Sequence, residues 1–67
     1  MRNPERLDNF YDEVRDLHKE VCPDWRFSQL IINFQRWIAV TYGIRDIFFI
    51  EEEEMIKYIR KFAEGLK

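Results

Sequence analysis

The sequence predicts an all-α fold, a single small three-helix domain with an ordered hydrophobic loop between helices 2 and 3. Three observations carry this expectation. Apolar residues recur at spacings of three and four in three separate stretches, the period of a helix and not the alternation of a strand. Turn signals fall between those stretches, at Pro23 and at Gly43. The 67 residues show no repeat, linker or low-complexity stretch, so one domain is expected over 1–67, with helices over about 4–21, 27–42 and 51–65.

In the first stretch, Leu7, Phe10, Tyr11, Val14, Leu17, His18 and Val21 fall on one helical face. Asn3 is placed to cap it. Pro4 then takes the first helical position, where its missing N–H is no loss, and Glu5 and Asp8 favour the positive end of the helix dipole. Cys22-Pro23 ends the helix, because proline pushes the residue before it out of the α region.

The second stretch carries Phe27, Leu30, Ile31, Phe34, Trp37, Ile38 and Thr41 on one face, widened by Ile32, Ala39 and Val40. Asp24 and Ser28 are both suitable N-caps. Since Arg36 is the only charge after Arg26, this helix is expected to be the most buried one, packed between the outer two. Gly43 suits a left-handed C-cap, with Ile44 making the accompanying hydrophobic contact.

Arg45-Asp46-Ile47-Phe48-Phe49-Ile50 has no partner strand to pair with, so it reads as an ordered loop packed on the bundle. The third helix sets Met55, Ile56, Ile59, Phe62 and Leu66 on one face. Glu51 to Glu54 lie at its start and Lys57, Arg60 and Lys61 further along, matching the dipole, and Glu53 with Lys57 forms a favourable i,i+4 pair.

Composition excludes several classes. With 46% hydrophobic and 16% aromatic residues the chain is not intrinsically disordered. One cysteine allows no internal disulfide, and one histidine beside it makes no structural zinc site, which points to a reducing, cytoplasmic setting. The start, Met1-Arg2-Asn3-Pro4-Glu5, lacks the apolar core of a signal peptide, and the longest apolar run, Ile47 to Ile50, is far too short to cross a bilayer. A formal net charge of −2 with scattered basic residues disfavours nucleic acid as a partner.

Little in the chain suggests chemistry. His18 and Cys22 share a face four residues apart, the spacing of a thiolate–imidazole pair, but no orienting third group accompanies them and a buried structural cysteine is the simpler expectation. Ser28 has no nearby histidine. Glu51 to Glu54 point around a helix instead of converging as calcium ligands do, so a solvated helix start explains them. No catalytic, cofactor or metal set is therefore expected.

The aromatic residues are the anomaly. A thin core accommodates Phe10, Phe27, Phe34, Trp37 and Phe62, but hardly Trp25, Tyr42, Phe48, Phe49 and Tyr58 as well. Two arrangements satisfy the sequence: the Phe48-Phe49 loop folds under the bundle while Trp25 clamps the first turn of the second helix, or some of these aromatics stand exposed together with Ile47, Ile50 and Arg26 as an interface with aromatic and Arg anchors.

Pro23-Asp24-Trp25-Arg26-Phe27-Ser28-Gln29-Leu30, then Asn33, Asp46-Ile47-Phe48-Phe49 and Glu52-Glu53-Glu54-Met55, resemble the pattern of a group of short bacterial proteins of unknown function, from Gram-positive genomes and mobile elements. Those proteins begin Arg-Asn-Pro-Glu-Arg or similarly, and have glycine and proline where this chain has Ser28 and Ile47. The order of elements is also distantly similar to the YihD-like proteins. Both resemblances imply a small cytoplasmic all-α protein and bring no catalytic residues.

The expected function is a small cytosolic protein-protein interaction or regulatory module without catalysis, its partner another protein or a second copy, its contact set Trp25, Arg26, Phe48 and Phe49. Two alternatives stand beside it. A helix-turn-helix-like nucleic-acid binder requires Arg36, Lys57, Arg60 and Lys61 to converge. An enzyme requires an activated Cys22 next to His18.

Overall fold

The computed structural model describes residues 3–67, so the Met1-Arg2 start lies outside the described residues. Three helices form, α1 over Arg6–Val21, α2 over Phe27–Tyr42 and α3 over Glu52–Leu66, and no strand occurs among the described residues. The all-α expectation is met. Helix α1 starts two residues later than its proline suggested. Asn3 Oδ1 accepts from the Glu5 N–H at 3.0 Å, and three backbone bonds of 3₁₀ type, from Arg6, Leu7 and Asp8 to Asn3, Pro4 and Glu5, lead into the helix. Asn3 thus caps the lead turn that holds Pro4.

The turn from α1 to α2 closes through the Trp25 N–H, which donates to the Cys22 carbonyl at 3.0 Å. Neither Asp24 nor Ser28 caps α2. The N-cap is Arg26, in extended conformation (φ −73°, ψ 159°). Arg26 has no side-chain acceptor, so what holds this end is the return half of a capping box: the Arg26 N–H donates to Gln29 Oε1 at 2.7 Å. At the other end Gly43 is left-handed (φ 71°), as its position after Tyr42 implied, and Ile44 turns back to donate its N–H to the Ile38 carbonyl at 3.4 Å.

Helices α1 and α3 lie side by side and parallel. Three ion pairs mark their register: Arg6 with Glu52 at 2.7 Å, Glu13 with Arg60, and Glu20 with Lys67 at 3.1 Å. Helix α2 meets α3 through a more limited contact and scarcely approaches the α1 backbone, so it lies across the pair and not between its members. It still supplies half of the core. Leu30, Phe34 and Ile38 are buried, with Ile38 fully inaccessible, and they join Cys22, Phe62 and Ala63. Phe62 is the hub, its ring 5.6 Å from Phe34, 5.5 Å from Trp37 and 6.4 Å from Trp25.

Because α2 has neighbours on one side only, the widened apolar stripe is not all buried. Val40 is 87% exposed and Ile32 is exposed as well. Phe27, placed in the core stripe by its spacing, is 68% exposed. It is the first residue of α2, and a helical side chain leans toward the N-terminus, here past the end of the packed region. Tyr11 and Thr41 also face solvent. Lys57 pairs with Glu54 at i,i+3 (3.6 Å) and not with Glu53.

Candidate functional site

The loop over 43–51 is anchored by every third residue. Ile44, Ile47 and Ile50 pack against the core, while the residues between them point outward. Asp46 Oδ1 accepts from the Phe48 N–H at 2.9 Å and the Ile47 carbonyl from the Ile50 N–H at 3.2 Å, which folds Ile47 to Ile50 into a tight turn. Phe48 and Phe49 form its tip. They are 82% and 78% exposed and touch edge to face, ring centroids 4.9 Å apart. The loop packs on the bundle as expected, yet its phenyl rings do not fold under it, and Ile47 and Ile50, which the interface arrangement put at the surface with them, are held against the core instead.

Trp25 and Arg26 belong to a different place. Trp25 is half-buried against Phe62, ten residues or about 15 Å of helical rise beyond the end of α3 where the loop enters. Arg26 is exposed, and its backbone holds the start of α2. The aromatic surplus is resolved in two ways. Tyr42 and Tyr58 lean on each other at 5.1 Å and Tyr42 on Trp37 at 5.6 Å, whereas the loop pair stands free of the core.

His18 and Cys22 do come together at the end of α1, without forming a nucleophilic pair. His18 Nε2 lies 2.7 Å from the Trp25 carbonyl, and because a carbonyl only accepts, this nitrogen carries the proton and donates. Cys22 is buried, and burial pushes its thiol above the ordinary value. The ring therefore ties α1 to the turn that follows it. Around this junction the three helices leave an apolar void of about 30 Å³, far smaller than a ligand pocket.

A larger groove of about 520 Å³ runs between α1 and α3, with Phe10 and Ile56 among its lining residues. Its walls are Arg6 with Glu52 and Glu13 with Arg60, charges already satisfied across the groove. The Arg60 guanidinium holds the Glu13 carboxyl below the usual carboxylate value, and Glu13 in turn raises Arg60. Among the described residues, no three His, Cys, Asp or Glu side chains are placed to hold a metal ion. The basic residues have separate surroundings: Lys57 pairs with Glu54, Arg60 with Glu13, and Lys61 sits 5.8 Å over the Tyr42 ring.

The exposure of Phe27, Ile32 and Val40 was not anticipated, since a broad apolar helix in so short a chain reads as a buried one. No helix among the described residues is long and apolar enough to cross a membrane. Compared with models of known families, with curated proteins and with solved structures, the chain matches none.

Proposed function

We propose that this chain is a small cytoplasmic protein-protein interaction or regulatory module, without catalytic activity, that binds through the Phe48-Phe49 tip. One observation carries the reading: two phenyl rings stand in solvent on a loop whose isoleucines are locked into the core. A flexible aromatic loop loses conformational freedom when it binds. This loop is ordered beforehand, so that cost is small. At about four-fifths exposure the two rings offer roughly 300 Å² of apolar surface, within the range of the largest apolar patch on a monomer, which is often functional. Trp25 and Arg26 serve the fold in this reading, Trp25 by seating the α1–α2 turn on Phe62. The single cysteine and the resemblance to short bacterial proteins support the cytoplasmic setting.

The test is affinity capture of the tagged protein from a lysate of its host, with and without nuclease, compared with Phe49→Ala. A protein recovered under both conditions and lost with the variant is the expected result. Recovery abolished by nuclease favours nucleic acid instead, and recovery unchanged in a folded Phe49→Ala protein refutes the assignment.

A further inference from the structure

We infer that the Phe48-Phe49 corner is occupied by a second copy of this chain, paired about a two-fold axis. The inference rests on the interaction-module reading and names its partner. Surface area is the first argument. A compact monomer of 8.4 kDa exposes about 4,600 Å². This chain exposes 5429 Å², an excess of roughly 800 Å², which is the area each partner contributes to a standard protein interface.

Location is the second. The most exposed large apolar residues are Val40, Phe48 and Phe49, on the last turn of α2 and on the loop that follows it. The core they sit on is thin, consisting of Cys22, Leu30, Phe34, Ile38, Phe62 and Ala63. A small domain with so little buried gains stability from further burial, and a second copy is present wherever the chain is made. A foreign partner supplies that burial only when it arrives.

Charge is the third. In sequence the tip is bracketed by Arg45 on one side and by the acidic start of α3, Glu51 to Glu54, on the other. A two-fold axis that sets the two loops antiparallel places each Arg45 beside the acidic segment of the partner, a juxtaposition of opposite charge that one surface supplies to itself.

Sedimentation equilibrium of the intact protein from about 1 μM to about 1 mM tests this, with far-UV circular dichroism on the same samples. The expected mass rises to twice 8.4 kDa, and the melting temperature rises with protein concentration. Phe48→Asp and Phe49→Asp weaken self-association by about thirtyfold or more, as loss of a central aromatic anchor does. Tyr11→Asp, also at an exposed aromatic but on α1, leaves the dimer intact. A helical wild-type protein that stays monomeric across the range overturns the inference, as does a dimer indifferent to Phe49→Asp. In the monomeric case, a captured protein that is lost with Phe49→Ala leaves the module reading standing with a foreign partner, and a capture that yields nothing removes both.

Discussion

Phe62→Ala tests the fold at the point where most of it meets. The Phe62 ring touches Trp25 from the α1–α2 turn and Phe34 and Trp37 from α2, so its removal unseats α2 from α3. A buried Phe→Ala change costs about 3–5 kcal/mol, and each aromatic neighbour that loses its partner adds up to about 1 kcal/mol, partly counted already. About 4–5 kcal/mol is expected in all. A domain of 67 residues has roughly 3–10 kcal/mol to lose, so the variant is at best marginally folded, with its melting temperature lowered by about 20 °C or more. Urea unfolding at one fixed protein concentration, followed by circular dichroism and by tryptophan emission, measures this. Both tryptophans lie against Phe62, so emission shifts to the red even where helicity survives. Phe62→Leu, which keeps most of the volume but loses the ring contacts, costs clearly less than Phe62→Ala by the same assay. Phe49→Ala, at a ring 78% exposed, moves monomer stability by no more than about 0.5 kcal/mol. If Phe62→Ala lies within about 1 kcal/mol of wild type, the aromatic hub does not hold α2 in place and the packing described above is wrong.

Three further outcomes follow from single residues. Gly43→Ala destabilises by about 1 kcal/mol in urea and Gly43→Asn by less, because an added Cβ meets nothing within 4 Å and the whole cost is the left-handed backbone at φ 71°. Glu13 is held below the ordinary carboxylate value of 4.5 by its hydrogen bond from Arg60, so its contribution is fully present above that value and is lost as pH falls through the lower, folded-state one. Acid titration of stability in wild type and Glu13→Gln shows a shallower loss for the variant below pH 4.5, and equal slopes contradict the pair. Cys22, buried and with its thiol raised by desolvation, reacts slowly with iodoacetamide near neutral pH in the folded protein and rapidly in urea, whereas fast labelling of the native state contradicts its burial.

Local signals in the sequence were strong, and the structure follows them closely. Helical spacing, the Cys22-Pro23 stop and the glycine after Tyr42 act within a few residues, so they place α1, α2 and α3 to within two residues of their ends. Caps proved less legible: the Asn3 side chain holds a lead turn, and α2 is capped through Gln29 reaching back to Arg26, a bond that depends on the backbone direction at Arg26. Which apolar residues are buried was the least legible feature. Burial of Val40, Ile32 or Phe27 depends on what lies opposite them, and spacing along one helix carries no information about that. The loop shows the same limit. Ile44, Ile47 and Ile50 share a period of three that distinguishes them from Phe48 and Phe49, but only the position of the core reveals which set turns inward.

The way α1 and α3 meet was nonetheless written in the charges. Arg6, Glu13 and Glu20 stand seven residues apart on α1, and their partners Glu52, Arg60 and Lys67 carry the opposite sign in the same order on α3. Arg6–Glu52 is partly buried and the other two pairs are more exposed, and ion pairs at a surface add too little to hold two helices together. Their effect is on the choice of arrangement. Reversing α3 sets Arg6 against Lys67 and Glu20 against Glu52. Sliding α3 by two turns sets either Arg6 against Arg60 or Glu13 against Glu52. Each of these alternatives turns at least one attraction into a repulsion. The chosen register fixes the start of α3 beside Arg6 at the beginning of α1, and the chain leaving α2 must reach that point over 43–51. Its isoleucines find the core on the way and its two phenylalanines do not. The register that these weak ion pairs mark is thus the one that sets where the exposed aromatic tip stands.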